Sequence, residues 1–177
     1  MPSKKPKYKA KRLVIDTSVA KAAGESEHPI SKRCRDFLNG VLKICHRLVM
    51  TKEILDEWKE HRSLFTVRWH RAMVAKKKVV DFIKSNVKDE DLRKEIFSKA
   101  ASDRGREEME KDLHLIEAAL ATDHIVVSLD ETAKEYFAKA AKHVSKLGQI
   151  AWINPHQDND AIECLERPDL MKKHFLG

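Results

Sequence analysis

At 177 residues the chain is long enough for one domain with a sizeable core. Charged residues make up 36%, yet apolar segments recur throughout, which excludes a disordered chain, and no apolar run is long enough to span a bilayer. The formal charge is +7, but residues 1–12 hold six basic side chains and no acid, so the remaining body stands at +1. This arm (Lys4, Lys5, Lys7, Lys9, Lys11 and Arg12) on a near-neutral domain points to an electrostatic hold on a polyanion such as nucleic acid, with a solvated solubility tail as the alternative. Only Leu13, Val14 and Ile15 follow it before Asp16, too few for a signal-peptide core. Cys34, Cys45 and Cys164 are an odd set without metal-like spacing and read as thiols of a reducing compartment, so a cytoplasmic location is expected. The nine histidines form no HExxH motif and no Cys/His cluster, which argues against a zinc site.

In chain order, a basic flexible arm is expected over 1–11. Arg12 to Asp16 then reads as a short buried strand whose carboxyl end carries Asp16. A helix over 18–23 is expected to end at Gly24, and Pro29 opens another that runs to about Cys45. Arg47–Met50 is the second strand, with Thr51 as N-cap of a helix over Lys52–His61. Over 64–102, Trp69, Met73, Val80, Ile83 and Val87 share one stripe, which predicts a helical hairpin beside the sheet. Asp103-Arg104-Gly105 is expected to break it, before a helix over 106–121. The third strand is Ile125–Asp130, a helix covers 131–145, and Ile150–Ile153 is the fourth strand. The domain thus covers 12–155, and the tail over 156–177 carries one short helix near 159–166. Strands alternating with helices predict an α/β fold, a three-layer α/β/α sandwich around a parallel sheet of about four to five strands.

Strands one and three deliver Asp16 and Asp130 to the same sheet edge, where ligands of open α/β sheets bind. In the helix over 106–121, with Asp112 at zero, Ile116 falls at about 40°, Leu120 at about 80° and Ala119 at about 340°. Asp112 therefore sits within the apolar face, and Glu117 and Lys111 lie off it. A carboxylate aimed at a core needs a partner, either a structural Lys or Arg or a cation. Glu53 and Glu57 share one side of the helix that leaves strand two, and either could join the edge. Converging acids repel without a cation, and an oxygen-only ligand set suits Mg²⁺ or Mn²⁺. Such a site beside a polyanion-binding surface suits phosphodiester hydrolysis. No GxGxxG or Walker-type loop is present.

Four pieces together resemble the PIN-domain nuclease family. They are Val14-Ile15-Asp16-Thr17-Ser18, the run from Met50 to Glu57, the run from Asp112 to Leu120, and Val126-Val127-Ser128-Leu129-Asp130, in the family's order. The resemblance implies a compact α/β/α sandwich and Mg²⁺- or Mn²⁺-dependent endoribonuclease activity on single-stranded or structured RNA. It implies Asp16, Glu57, Asp112 and Asp130 as catalytic, metal-holding acids, with Thr17 or Ser18 and Ser128 supporting them by hydrogen bonds. Lys4, Lys5, Lys7, Lys9, Lys11, Arg12, Lys76, Lys77 and Lys78 are the expected contacts to the RNA backbone. A homodimer and an inhibitory protein partner of the toxin–antitoxin kind are further candidate partners, although the hairpin and arm make the chain longer than the compact toxin-like members. The rival expectation is a catalytically inactive PIN-like nucleic-acid-binding or assembly module.

Overall fold

The computed structural model describes residues 9–177. Lys4, Lys5 and Lys7 lie outside the described residues. Five strands, β1 (Arg12–Ile15), β2 (Arg47–Met50), β3 (Val79–Asp81), β4 (Ile125–Val127) and β5 (Ala151–Ile153), form one all-parallel sheet in the order β3-β2-β1-β4-β5. Helices α1 (Thr17–Ala22), α2 (Pro29–Lys43), α3 (Lys52–His61), α4 (Leu64–Ala75), α5 (Glu90–Ser98), α6 (Asp103–Leu120), α7 (Glu131–Ala141) and α8 (Ala161–Glu166) connect and flank it. The central strands are short apolar runs, Leu13-Val14-Ile15, Leu48-Val49-Met50 and Ile125-Val126-Val127, all buried, as a sheet covered on both faces requires. No helix among the described residues is long and apolar enough to cross a membrane.

The topology fixes where a site can lie. From β1 the chain steps outward to β2 and β3, then returns across the sheet to β4 and continues to β5. Right-handed crossovers then place the connections of the two halves on opposite faces. In keeping with this, α1 packs on α2 and α3, and α2 on α4, whereas α6 packs on α7. The direction of winding reverses between β1 and β4, and the crevice beyond their carboxyl ends is the switch point at which open α/β sheets bind ligands.

The hairpin expected over 64–102 is corrected. Its two helices exist as α4 and α5, but the segment between them enters the sheet as β3, with Val80 opposite Val49. The apolar stripe ran straight through the break because Trp69 and Met73 belong to α4 and Val80 to a strand that also needs apolar residues. What ends α4 is Lys77, in a left-handed conformation at φ 56°, with its N–H on Val74 O and that of Lys78 on Met73 O, both at 2.9 Å. That double closure satisfies the last carbonyls of the helix without a glycine. Conversely, Gly24 does not cap α1, which ends at Ala23 in an extended conformation. Asp103-Arg104-Gly105 is not a break either. Ser102 caps α6 by accepting the Gly105 N–H at 3.0 Å, and the absent side chain at Gly105 lets Tyr136 pack against the helix. The helix after β4 is shorter than expected, with a 3₁₀ turn at Leu147–Gln149, and a second 3₁₀ segment covers Pro168–His174.

The C-terminal half of α6 is buried over most of its circumference, so the side assigned to Glu117 is also wrong. Glu117 is 2% exposed and bound at 2.7 Å through each carboxylate oxygen by the Arg93 fork, while it also accepts the Asp89 N–H. This is the structural ion pair of the helix. Removing one partner of such a pair strands a buried charge. Arg93→Met is therefore expected to cost about 3–5 kcal/mol by denaturant unfolding, and the double change with Glu117→Met to recover much of it.

Candidate active site

Asp16 stands one residue past β1, and its N–H still donates to Val127 O at 2.9 Å, which seats it against the end of β4. It is 6% exposed. Its Oδ2 accepts hydrogen bonds from the Ser18 hydroxyl and, at 2.8 Å, from the Ser128 hydroxyl. The same two serines accept the N–H groups of Leu129 and Asp130, each at 3.1 Å. The turns after β1 and β4 are thereby tied together through one carboxylate, and Oδ1 of Asp16 is left for another partner. Thr17 reaches elsewhere, donating to the carbonyl of Glu57 at 3.3 Å. Trp58 donates its indole N–H to Ile15 O at 3.1 Å. Those two bonds dock α3 beside Asp16. Glu57 faces the site, and Glu53 is solvent-exposed one turn earlier.

Asp130 is the N-cap of α7, its Oδ1 accepting the Ala133 N–H at 2.8 Å, which leaves Oδ2 available. Asp112 comes in from α6, half-buried, and the charges that act on it are Asp16, Asp130, Glu57 and His114, with no lysine or arginine among them. Among the described residues no Lys or Arg pairs with Asp112, and the structural ion pair of the helix belongs instead to Glu117. Burial first, then the repulsion of Asp16, Asp130 and Glu57, pushes the Asp112 carboxyl up to about 7. All four expected acids thus converge electrostatically on the switch point.

His114 completes the cluster and had no evident signal in the sequence. Its Nε2 lies 3.4 Å from Glu57 Oε1, an ion-pair distance at which Nε2 has no well-aligned hydrogen bond. Burial works against the charged ring, but Glu57, Asp112 and Asp16 together outweigh it and raise the pKa of His114 above the ordinary value. When protonated, the ring offsets part of the negative charge.

The acids are nevertheless not drawn into a tight cage. Among the described residues the only three Asp, Glu, Cys or His ligand atoms that all lie within 4.8 Å of one another belong to Asp160, Cys164 and His174. The donors at the switch point are oxygens, as Mg²⁺ and Mn²⁺ require. Asp16 Oδ1, Asp130 Oδ2, Asp112 and Glu57 are the groups that fit such an ion.

The expected nucleic-acid contacts lie elsewhere. Arg12 opens β1 and Lys76 to Lys78 precede β3, so they stand at the amino edge of the sheet, opposite the acids. Arg12 is held by Asp123 through Nε at 3.1 Å and a terminal nitrogen at 3.0 Å. Lys78 turns its ammonium onto the carbonyls of Val41 and Leu42, each at 2.8 Å, and of Ile44, closing the end of α2. Both therefore serve the fold, and among the described members of the set Lys9, Lys76 and Lys77 remain exposed. No protein-family model matches the chain, and no curated protein is significantly similar to it.

Proposed function

We propose that the protein is a PIN-like, metal-dependent nuclease that hydrolyses phosphodiester bonds, an endoribonuclease on single-stranded or structured RNA. The observation that supports this reading most is the convergence on Asp112: Asp16, Asp130 and Glu57 all act on it, offset only in part by His114, at the switch point of the sheet. Asp16, Asp112 and Glu57 would hold a Mg²⁺ or Mn²⁺ ion, and the free oxygen of Asp130 would hold a second or orient the attacking water. Bound there, a divalent cation lowers the pKa of a coordinated water and offsets charge developing on the phosphate. Ser18 and Ser128 fix the rotamer of Asp16, and His114 balances Glu57 when no cation is present.

The test is incubation of the full chain with single-stranded and hairpin RNAs in Mg²⁺, in Mn²⁺ and in chelator. Internal cleavage that needs the ion is expected. RNA binding without cleavage in either ion would overturn the enzymatic reading and leave the inactive binding module. The arm needs no fixed geometry to neutralise phosphates, so it is expected to add affinity and not chemistry. Deleting residues 2–9 removes Lys4, Lys5, Lys7 and Lys9 and should make the salt dependence of log Kd shallower while cleavage at saturating RNA persists.

A further inference from the structure

The geometry points to a second metal centre, far in sequence from the acid cluster: we infer that Asp160, Cys164 and His174 bind Zn²⁺, with Asp158 as the carboxylate behind the histidine. Their ligand atoms all lie within 4.8 Å of one another. Around a tetrahedral zinc ion, sulfur, nitrogen and oxygen ligands stand about 3.5 Å apart, so small side-chain shifts close the site. Asp160 and Cys164 are four residues apart across the start of α8 and share one side of it. His174 arrives from the 3₁₀ segment Pro168–His174, and its Nε2 lies 2.9 Å from Asp160 Oδ1.

The opposite ring nitrogen makes the arrangement more than a chance cluster. His174 Nδ1 lies 3.4 Å from Asp158 Oδ2, and that oxygen also accepts the Asn154 N–H at 2.7 Å, which ties Asp158 to the end of β5. A carboxylate on one imidazole nitrogen fixes the tautomer that presents the other to a metal, which is the usual surrounding of zinc-bound histidine. Cys164 is fully buried, so its Sγ is shielded from solvent beside Asp160 and His174. One thiolate, one imidazole and one carboxylate form a borderline set that suits Zn²⁺ and not Mg²⁺ or Mn²⁺. Three protein ligands leave a fourth position for water or a further ligand.

The consequence lies in the chain's last turn. The Leu176 N–H donates to Ile150 O at 3.0 Å, and Phe175 bridges Ala151 on the outer side of β5. An ion shared by α8 and His174 clamps this segment over the edge strand.

Co²⁺ as a spectroscopic substitute, followed by displacement with Zn²⁺, tests this on the full chain. The wild type is expected to show thiolate-to-Co²⁺ charge-transfer absorption that Zn²⁺ abolishes. Cys164→Ser should lose that band, while Cys34→Ser, Cys45→Ser and Asp16→Asn keep it. Zn²⁺ affinity should fall more than ~10²-fold in Cys164→Ser and His174→Gln, and ~10–100-fold in Asp158→Asn. Absence of the band in the wild type, or its survival in Cys164→Ser, would overturn the assignment, and Asp16→Asn reads the acid cluster separately.

Discussion

Asp16→Asn is expected to abolish RNA cleavage, and with it the rise in melting temperature that Mg²⁺ or Mn²⁺ gives the wild type, while leaving the fold intact. The amide keeps an oxygen to accept the Ser18 and Ser128 hydroxyls, so the turns after β1 and β4 stay joined. What is lost is the negative charge at the centre of the cluster. Partners that only orient a ligand typically cost 10–100-fold when removed, so Ser18→Ala and Ser128→Ala should fall in about that range and Asp16→Asn well beyond ~10²-fold. Cleavage in the presence of each ion, with thermal melts of the same samples, makes the comparison. A variant that melts like wild type, responds to metal and still cuts would remove Asp16 from the site.

Asp112→Asn is expected to make the metal-free protein more stable, and to make it inactive. In the fold this carboxyl sits at about 7 against an ordinary 3.8. A raised acid binds its proton more tightly when folded than unfolded, so stability falls as pH rises from about 3.8 to about 7 and is then constant as far as this group is concerned. Raising a carboxyl pKa by one costs the ionised fold about 1.4 kcal/mol, so the penalty near neutrality is a few kcal/mol. His114 adds a dependence of the same sign, since its raised pKa gives stability that is present below the ordinary histidine range and lost as pH rises through its folded value. The asparagine variant should match wild type at pH 3, exceed it by several degrees in melting temperature at pH 8, and lose the cation response. Equal melting curves across the range would mean that Asp112 does not sit among like charges.

Both expectations describe a site that weakens the fold it occupies, and that tension decided which residues could be read from the sequence. Asp16 was legible because three apolar residues, two of them β-branched, run into it, and Asp130 because β4 repeats the pattern. Asp112 was found by assuming that α6 has one buried face. The assumption placed Asp112 usefully but misplaced Glu117, because α6 is enclosed by β1, β4, α3 and α7 and periodicity loses its meaning on such a helix. β3 was hidden for the opposite reason: three residues at a sheet edge carry too short a pattern to stand out from the apolar stripe of α4, and its boundary is set by a left-handed lysine and not by glycine or proline. His114 and the Asp160, Cys164 and His174 group are meetings of distant elements. Their spacings match no short ligand motif, so the sequence expectation of no Cys/His cluster gives way to a cluster that only the fold assembles.

Whether the acids at the ends of β1 and β4 hold a divalent cation can be read by titrating Mn²⁺ into the metal-free wild type and into Asp16→Asn at neutral pH and following the free-ion electron paramagnetic resonance signal. The wild type is predicted to withdraw Mn²⁺ from solution, and Asp16→Asn to leave that signal close to the protein-free control. Equal withdrawal by the two proteins, or none by the wild type, would contradict the account.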